Sequence, residues 1–161
     1  MFSQRIVRRL GPAFVLLIAA AARAEDWPNF RGPRHDGVSR EADVLTDWPA
    51  AGPTQLWSRD VGPGFSSFAV AGDRLYTCGT EDKLQVLFCL KASTGDVIWK
   101  RTLEPEITDP DPHLHGPRAT PTIDGDRVYV QGTAGLLVAL DVGSGEILWQ
   151  HDYVEEYDAS A

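Results

Sequence analysis

His113 and His115 stand two positions apart, with Asp109 and Asp111 just before them. Imidazole and carboxylate side chains at such spacing are a ligand set for a divalent metal. A metal site also needs a third fixed ligand and supporting hydrogen bonds. The stretch is Pro-rich, and nothing nearby fixes another ligand, so it reads as a solvated polar loop. Asp124-Gly125-Asp126 opens like a calcium loop but lacks the spaced ligands and the distant glutamate, and reads as a hairpin turn. Arg118, after Gly116-Pro117, could bind an anion or pair with a carboxylate; with 23 acidic residues in the chain, pairing is the preferred reading. Cys78 and Cys89 are the two cysteines. No G-x-S-x-G, phosphate-binding loop or zinc-type cysteine pattern occurs. The residues thus assign no catalytic, cofactor-binding or metal site.

The elements that would position these groups come in two copies. Asp73-Arg74-Leu75-Tyr76 matches Asp126-Arg127-Val128-Tyr129, and Gly79-Thr80 matches Gly132-Thr133. Thr94-Gly95 with Trp99 matches Ser144-Gly145 with Trp149. A repeat of about 50 residues built from short strands marks a propeller or a similar array. Each copy divides into four strand-like pieces. In the first these are 66–70, 74–78, 86–90 and 97–101, with 79–85 as a loop. In the second they are 120–123, 127–131, 136–140 and 147–150. The pieces are short, β-branched or aromatic, and bounded by Gly and Asp. The runs 86–90 and 136–140 do not alternate, which marks strands covered on both faces. The stretch 104–118 contains four Pro residues and must be an irregular connection.

Residues 1–24 read as an export signal. Arg5, Arg8 and Arg9 form a basic start, Gly11 to Ala22 an apolar run, and Ala22-Arg23-Ala24 a cleavage site. Removing them leaves 11 basic and 23 acidic residues. That balance argues against nucleic acid and anionic membrane surfaces, which both select basic patches. The apolar run is too short to span a bilayer, so no membrane span is expected after cleavage. Residues 25–54 read as an irregular arm in which Trp27, Phe30 and Trp48 pack onto the body. Gln55-Leu56-Trp57-Ser58 reads as a short strand.

The chain resembles the pyrroloquinoline-quinone-like β-propeller repeat family, whose blades end in A-x-D-x-x-T-G-x-x-x-W. Here that pattern stands as Leu90-Lys91-Ala92-Ser93-Thr94-Gly95-Asp96-Val97-Ile98-Trp99 and as Leu140-Asp141-Val142-Gly143-Ser144-Gly145-Glu146-Ile147-Leu148-Trp149. The resemblance implies an all-β, partial β-propeller: about two four-stranded antiparallel blades, near 65–103 and 118–152, within a repeat region 55–161, plus an extra N-terminal strand. It implies that Gly95, Trp99, Gly145 and Trp149 are structural, with each tryptophan docked between blades. Trp57 would be the same residue of a blade whose other strands lie elsewhere. In quinoprotein dehydrogenases the resemblance also implies a vicinal Cys-Cys pair, a calcium site and a catalytic Asp; this chain has no Cys-Cys. No cofactor is assigned, and pyrroloquinoline quinone is implied only for a complete propeller. The leading expectation is an exported, non-catalytic scaffold whose partner is another protein or the remaining blades. The alternative is the N-terminal part of a quinoprotein alcohol dehydrogenase.

Two finer expectations follow. A two-residue turn at Thr133-Ala134 sets Val128 opposite Ala139; transferred to the first copy, it sets Cys78 opposite Val86 and Cys89 opposite Leu75. The two thiols then lie on opposite faces of the sheet and stay unpaired. Trp149, at the end of the last copy, should be less buried than Trp99.

Overall fold

A computed structural model describes residues 24–42, 44–105 and 115–159. Two sheets carry the repeat, in the order in which their strands follow along the chain. Blade 1 comprises β1 (Ala69–Ala71), β2 (Arg74–Glu81), β3 (Leu84–Lys91) and β4 (Val97–Pro105). Blade 2 comprises β5 (Thr122–Asp124), β6 (Arg127–Gln131), β7 (Leu136–Asp141) and β8 (Ile147–Asp152). Every neighbouring pair is antiparallel. The fold is the all-β partial propeller that the repeat implies.

The hydrophobic core lies between the blades. Tyr76, Cys78, Leu87 and Cys89 of blade 1 meet Val128, Val130, Val138 and Leu140 of blade 2. On the far side of blade 1, Val86, Phe88 and Leu90 form a second cluster with Val61 and Leu75. The central residues of β3 are therefore buried on both faces, as their unbroken apolar run requires.

Several expectations are corrected. No loop spans 79–85: β2 continues to Glu81, and only Asp82 and Lys83 turn, with φ of 51° and 63°. Two left-handed residues form the tight hairpin that matches strand twist. The extra residues of the first copy thus lengthen its strands. In blade 2 the hairpin holds three residues, because Gly135 adopts φ 101° and Gly132 N donates to Leu136 O. The register is accordingly displaced by one residue in both blades. Val128 faces Leu140, Cys78 faces Leu87, and Cys89 faces Tyr76. A one-residue shift moves a side chain to the other face, so the two thiols share the interior face of blade 1. They remain free. As diagonal neighbours their Cα atoms are about 7–8 Å apart, at or beyond the span a disulfide bridges.

The segment 55–58 joins neither sheet, so the extra N-terminal strand does not form; Trp57 nevertheless packs on blade 1. Trp27 pairs with Val70 at the free edge of β1 through two backbone bonds of 2.8 Å, and Pro28 O accepts from Ile123 N of β5. This part of the arm lies along the first strand of both blades. Phe30 and Trp48, in contrast, are 69% and 60% exposed. After β8 the chain forms a short helix, α1 (Tyr153–Tyr157), capped by the Asp152 carboxylate. The sequence carried no amphipathic period there because five residues are too few to show one.

Candidate functional site

The groups with the best-defined geometry join one blade to the next. Gly145 closes the β7–β8 turn with φ 71°, and the Trp99 ring of blade 1 lies on it. A Cβ at Gly145 would fall 2.6 Å from Trp99 Cε3, so only glycine admits the ring. Trp99 Nε1 donates to Val142 O at 3.3 Å, and Arg101 Nε to Gly145 O at 2.8 Å. The same arrangement recurs one unit earlier. Trp57 lies on Gly95, its Nε1 donates to Ala92 O at 2.9 Å, and Arg59 Nε donates to Gly95 O at 2.5 Å. Two interfaces therefore use one device: an indole on a glycine, and an arginine two residues on gripping that glycine's carbonyl. The spacing Trp57-Ser58-Arg59 and Trp99-Lys100-Arg101 was visible in the sequence. What the arginines reach was not.

Among the described residues no glycine seats Trp149, which is 36% exposed, whereas Trp99 is partly buried in the core. The expected difference between the two is therefore present. His151 stands where Arg59 and Arg101 stand in the other copies; its Nδ1 lies 2.8 Å from Glu156 Oε2.

A buried polar cluster joins the blades at the end of β4. Glu104 Oε1 accepts from Gln85 Nε2 at 3.0 Å and from Ala134 N at 2.8 Å. Gln85 Nε2 also reaches Thr133 Oγ1 at 2.8 Å, and Gln85 Oε1 accepts from Thr133 N. Gln85 is fully buried, so leaving these groups unbonded would be costly. One amide inside the apolar strand Leu84-Gln85-Val86-Leu87 was the available signal, and periodicity alone could not say which loop it meets.

The metal and anion candidates do not converge. Asp109, Asp111 and His113 lie outside the described residues; His115 is half-buried. Among the described residues no three of His, Cys, Asp and Glu gather to hold a metal ion. Asp124-Gly125-Asp126 is the β5–β6 hairpin, with Gly125 at φ 58°. Arg118 is exposed and lines an open depression of about 270 Å³ with Gln131, Gly132 and Thr133.

The cysteines are equally far from reactive chemistry. Burial pushes the Cys78 thiol up to about 12, against a bond from Ser66, and burial also raises Cys89. Both are held as neutral thiols in the core, where a thiolate nucleophile is disfavoured. They stand eleven positions apart inside the blade interface. They do not fit a vicinal pair above a quinone ring.

A family model described as "Outer membrane protein assembly factor BamB" matches residues 42–160. No curated protein matches the chain. Among solved structures, the quinohemoprotein alcohol dehydrogenase from Comamonas testosteroni is 22% identical, with a TM-score of 0.54; the match covers 86% of this chain and 21% of that one. BamB from Moraxella catarrhalis is 25% identical over 56% of this chain and 23% of its own, with a TM-score of 0.37. A quinohemoprotein alcohol dehydrogenase from Pseudomonas putida HK5 is 23% identical over 57% of this chain and 13% of its own, with a TM-score of 0.44. The chain thus spans less than a quarter of the length of each of these proteins. At these levels of identity the likeness concerns the fold.

Proposed function

The chain belongs to the family of the outer membrane protein assembly factor BamB, and from that premise we propose that it is an exported, non-catalytic interaction scaffold. One observation carries this reading: the polar side chains best placed for chemistry are committed to holding blades together. Arg59, Arg101, Arg74 and Tyr76 each donate to a backbone carbonyl of the neighbouring unit. Gln85 and Glu104 are used between blades in the same way. Among the described residues, the outer sheet face of blade 2 carries an open depression lined by Thr122, Tyr129, Gln131 and Leu137. Such a face suits a protein partner or further blades.

In this reading residues 1–24 direct export, residues 25–54 form the arm, and 55–161 form the repeat region that works within a larger propeller. Placement outside the cytoplasm is supported by the family description and by the basic, apolar and small-residue order of the first 24 positions. No helix among the described residues is long and apolar enough to cross a membrane. The alternative, a share of a quinoprotein alcohol dehydrogenase, draws on the fold likeness to the Comamonas testosteroni enzyme. Dye reduction by the complete propeller that contains these blades, with added pyrroloquinoline quinone, calcium and a primary alcohol, separates the two. The scaffold reading expects no turnover above the protein-free control; steady quinone-dependent reduction would replace it with the enzyme.

A further inference from the structure

The arm before blade 1 closes on itself through one residue, Glu25. Its backbone N–H donates to Glu41 Oε1 at 2.6 Å. Its carboxylate accepts from Arg34 Nη1 at 2.5 Å and from Arg34 Nη2 at 3.2 Å. Arg34 Nη2 also donates to Val38 O at 2.9 Å, and Asp36 Oδ2 lies 3.7 Å from Arg34 Nε. The Arg34 guanidinium holds the Glu25 carboxyl below the ordinary carboxylate range, and a bond from the Arg40 backbone N–H acts in the same direction. Residues 25 to 41 are thereby fastened into a loop whose two ends meet at Glu25.

The residues next to Glu25 fasten the loop to both blades. Asp26 Oδ1 accepts from Gly72 N, in the β1–β2 turn, at 2.8 Å. Trp27 exchanges two backbone bonds of 2.8 Å with Val70, and Pro28 O accepts from Ile123 N at 2.8 Å. The Trp27 ring lies on Gly32, where φ is 73° and a Cβ would fall 2.8 Å from the ring. The bonds from the arm to β1 and β5 thus follow Glu25 directly along the chain. Whatever holds Glu25 in place also holds the start of this strap.

Glu25 is also the residue that follows Ala22-Arg23-Ala24. We propose that peptidase cleavage of the Ala24–Glu25 bond turns the Glu25 N–H into an α-ammonium that pairs with the Glu41 carboxylate and locks the arm across β1 and β5. Hydrolysis adds one water across the bond, leaving a carboxylate on Ala24 and an ammonium on Glu25. An ion pair then replaces a hydrogen bond in which only the acceptor is charged. Other charges surround the new group. Its own side-chain carboxylate, Asp26 and Asp36 are acidic, as is Asp73 on the turn that Asp26 grips. Arg31, Arg34, Arg40 and a protonated His35 are basic, and Arg34 is already paired with Glu25 and Asp36. Glu41 favours the protonated amine, so the pairing is complete below the ordinary α-amine range of about 7.7–8.0 and is lost as pH rises through the raised folded value. The inference rests on the export reading of residues 1–24. It is indifferent to the choice between scaffold and dehydrogenase.

The test starts from the full chain produced in an exporting bacterium. Its intact mass settles the premise: a product that begins anywhere but at Glu25 overturns the export reading, and the proposal with it. On the processed chain, reductive dimethylation with carbon-13 formaldehyde makes the α-amine titration visible by NMR. The expected midpoint lies at least about 0.2 pH above that of the Glu41→Gln variant, the scale of an exposed ion pair. Asp47→Asn removes the same charge outside the loop and should leave the midpoint where it was. Hydrogen exchange reads the strap itself. At about pH 6, where the amine is protonated, the Trp27 and Val70 amides should exchange at least about twofold more slowly in the processed chain than in its Glu41→Gln variant. Unchanged exchange at the buried Val138 amide shows that the blades stay folded in both. With the correct mass, equal midpoints for the unaltered chain and Glu41→Gln overturn the proposal and leave the export reading standing. Equal exchange at Trp27 and Val70, or an equal shift from Asp47→Asn, overturns it as well.

Discussion

Gly145→Ala isolates what the indole seat is worth. The residue has φ +71°, and a methyl group there would lie 2.6 Å from Trp99 Cε3 and 2.7 Å from Cδ2. Gly125 of the same blade has φ +58° with nothing within 4 Å. Alanine pays the same backbone cost at both, about 1–2 kcal/mol for a left-handed residue. Only at Gly145 must it also lift the ring. A fully buried tryptophan removes 150–250 Å² from water, or about 4–6 kcal/mol at about 25 cal/mol per Å². Trp99 is partly buried and is displaced rather than deleted. About half of that range, 2–3 kcal/mol, is the expected excess. With a urea slope of about 2 kcal/mol per molar, the Gly145→Ala midpoint falls about 1 M or more below that of Gly125→Ala. Far-UV circular dichroism is the suitable signal, because the fluorescence of Trp99 changes with its own displacement. In a Trp99→Ala background the two glycine substitutions should cost the same, since no ring remains to be moved. Equal midpoints in the unaltered background would refute the assignment of Gly145 as the seat.

Three further outcomes are expected. Trp99→Ala should cost about 3 kcal/mol, and Trp149→Ala less than half as much because its ring is 36% exposed; equal losses in urea titrations would contradict the docking geometry. Glu104→Ala leaves the Gln85 amide and the Ala134 N–H short of an acceptor and should cost about 1–3 kcal/mol. Glu104→Gln, which keeps a carbonyl oxygen for both donors, should cost less, and thermal melting ranks the two. Burial raises the Cys78 thiol to about 12, above its value of about 8.5 in the unfolded chain. A raised pKa means that the folded state holds the proton more tightly. Its stabilisation is complete below about pH 8.5 and is lost as pH rises toward about 12, at up to about 1.4 kcal/mol per unit. Cys78→Ala should flatten that alkaline decline, measured as the urea midpoint between pH 8 and 10; an unchanged slope would assign the decline elsewhere.

The repeat, the four strands of each blade and the place of the turn glycine and tryptophan in each copy were legible from residue types; that Trp57 seats on Gly95 and Trp99 on Gly145 was not. Turn chemistry and apolar runs act over a few residues, so Thr94-Gly95, Ser144-Gly145 and the run 86–90 carried their meaning locally. The register was not legible. It depended on whether a hairpin held two residues or three, and Gly135 entering the turn moved every partner in blade 2 by one. In blade 1 the left-handed pair Asp82-Lys83 did the same, and it placed Cys78 and Cys89 on a single face. The partners of Arg74, Tyr76, Gln85 and Glu104 were still further from reach. Each meets an atom 30 or more positions away. Such meetings arise only when one sheet is laid on the next. Local sequence thus determined that this chain would make two four-stranded blades with matching turns and tryptophans. The stacking of the blades decided which donors meet which carbonyls, because those contacts depend on the relative placement of whole sheets.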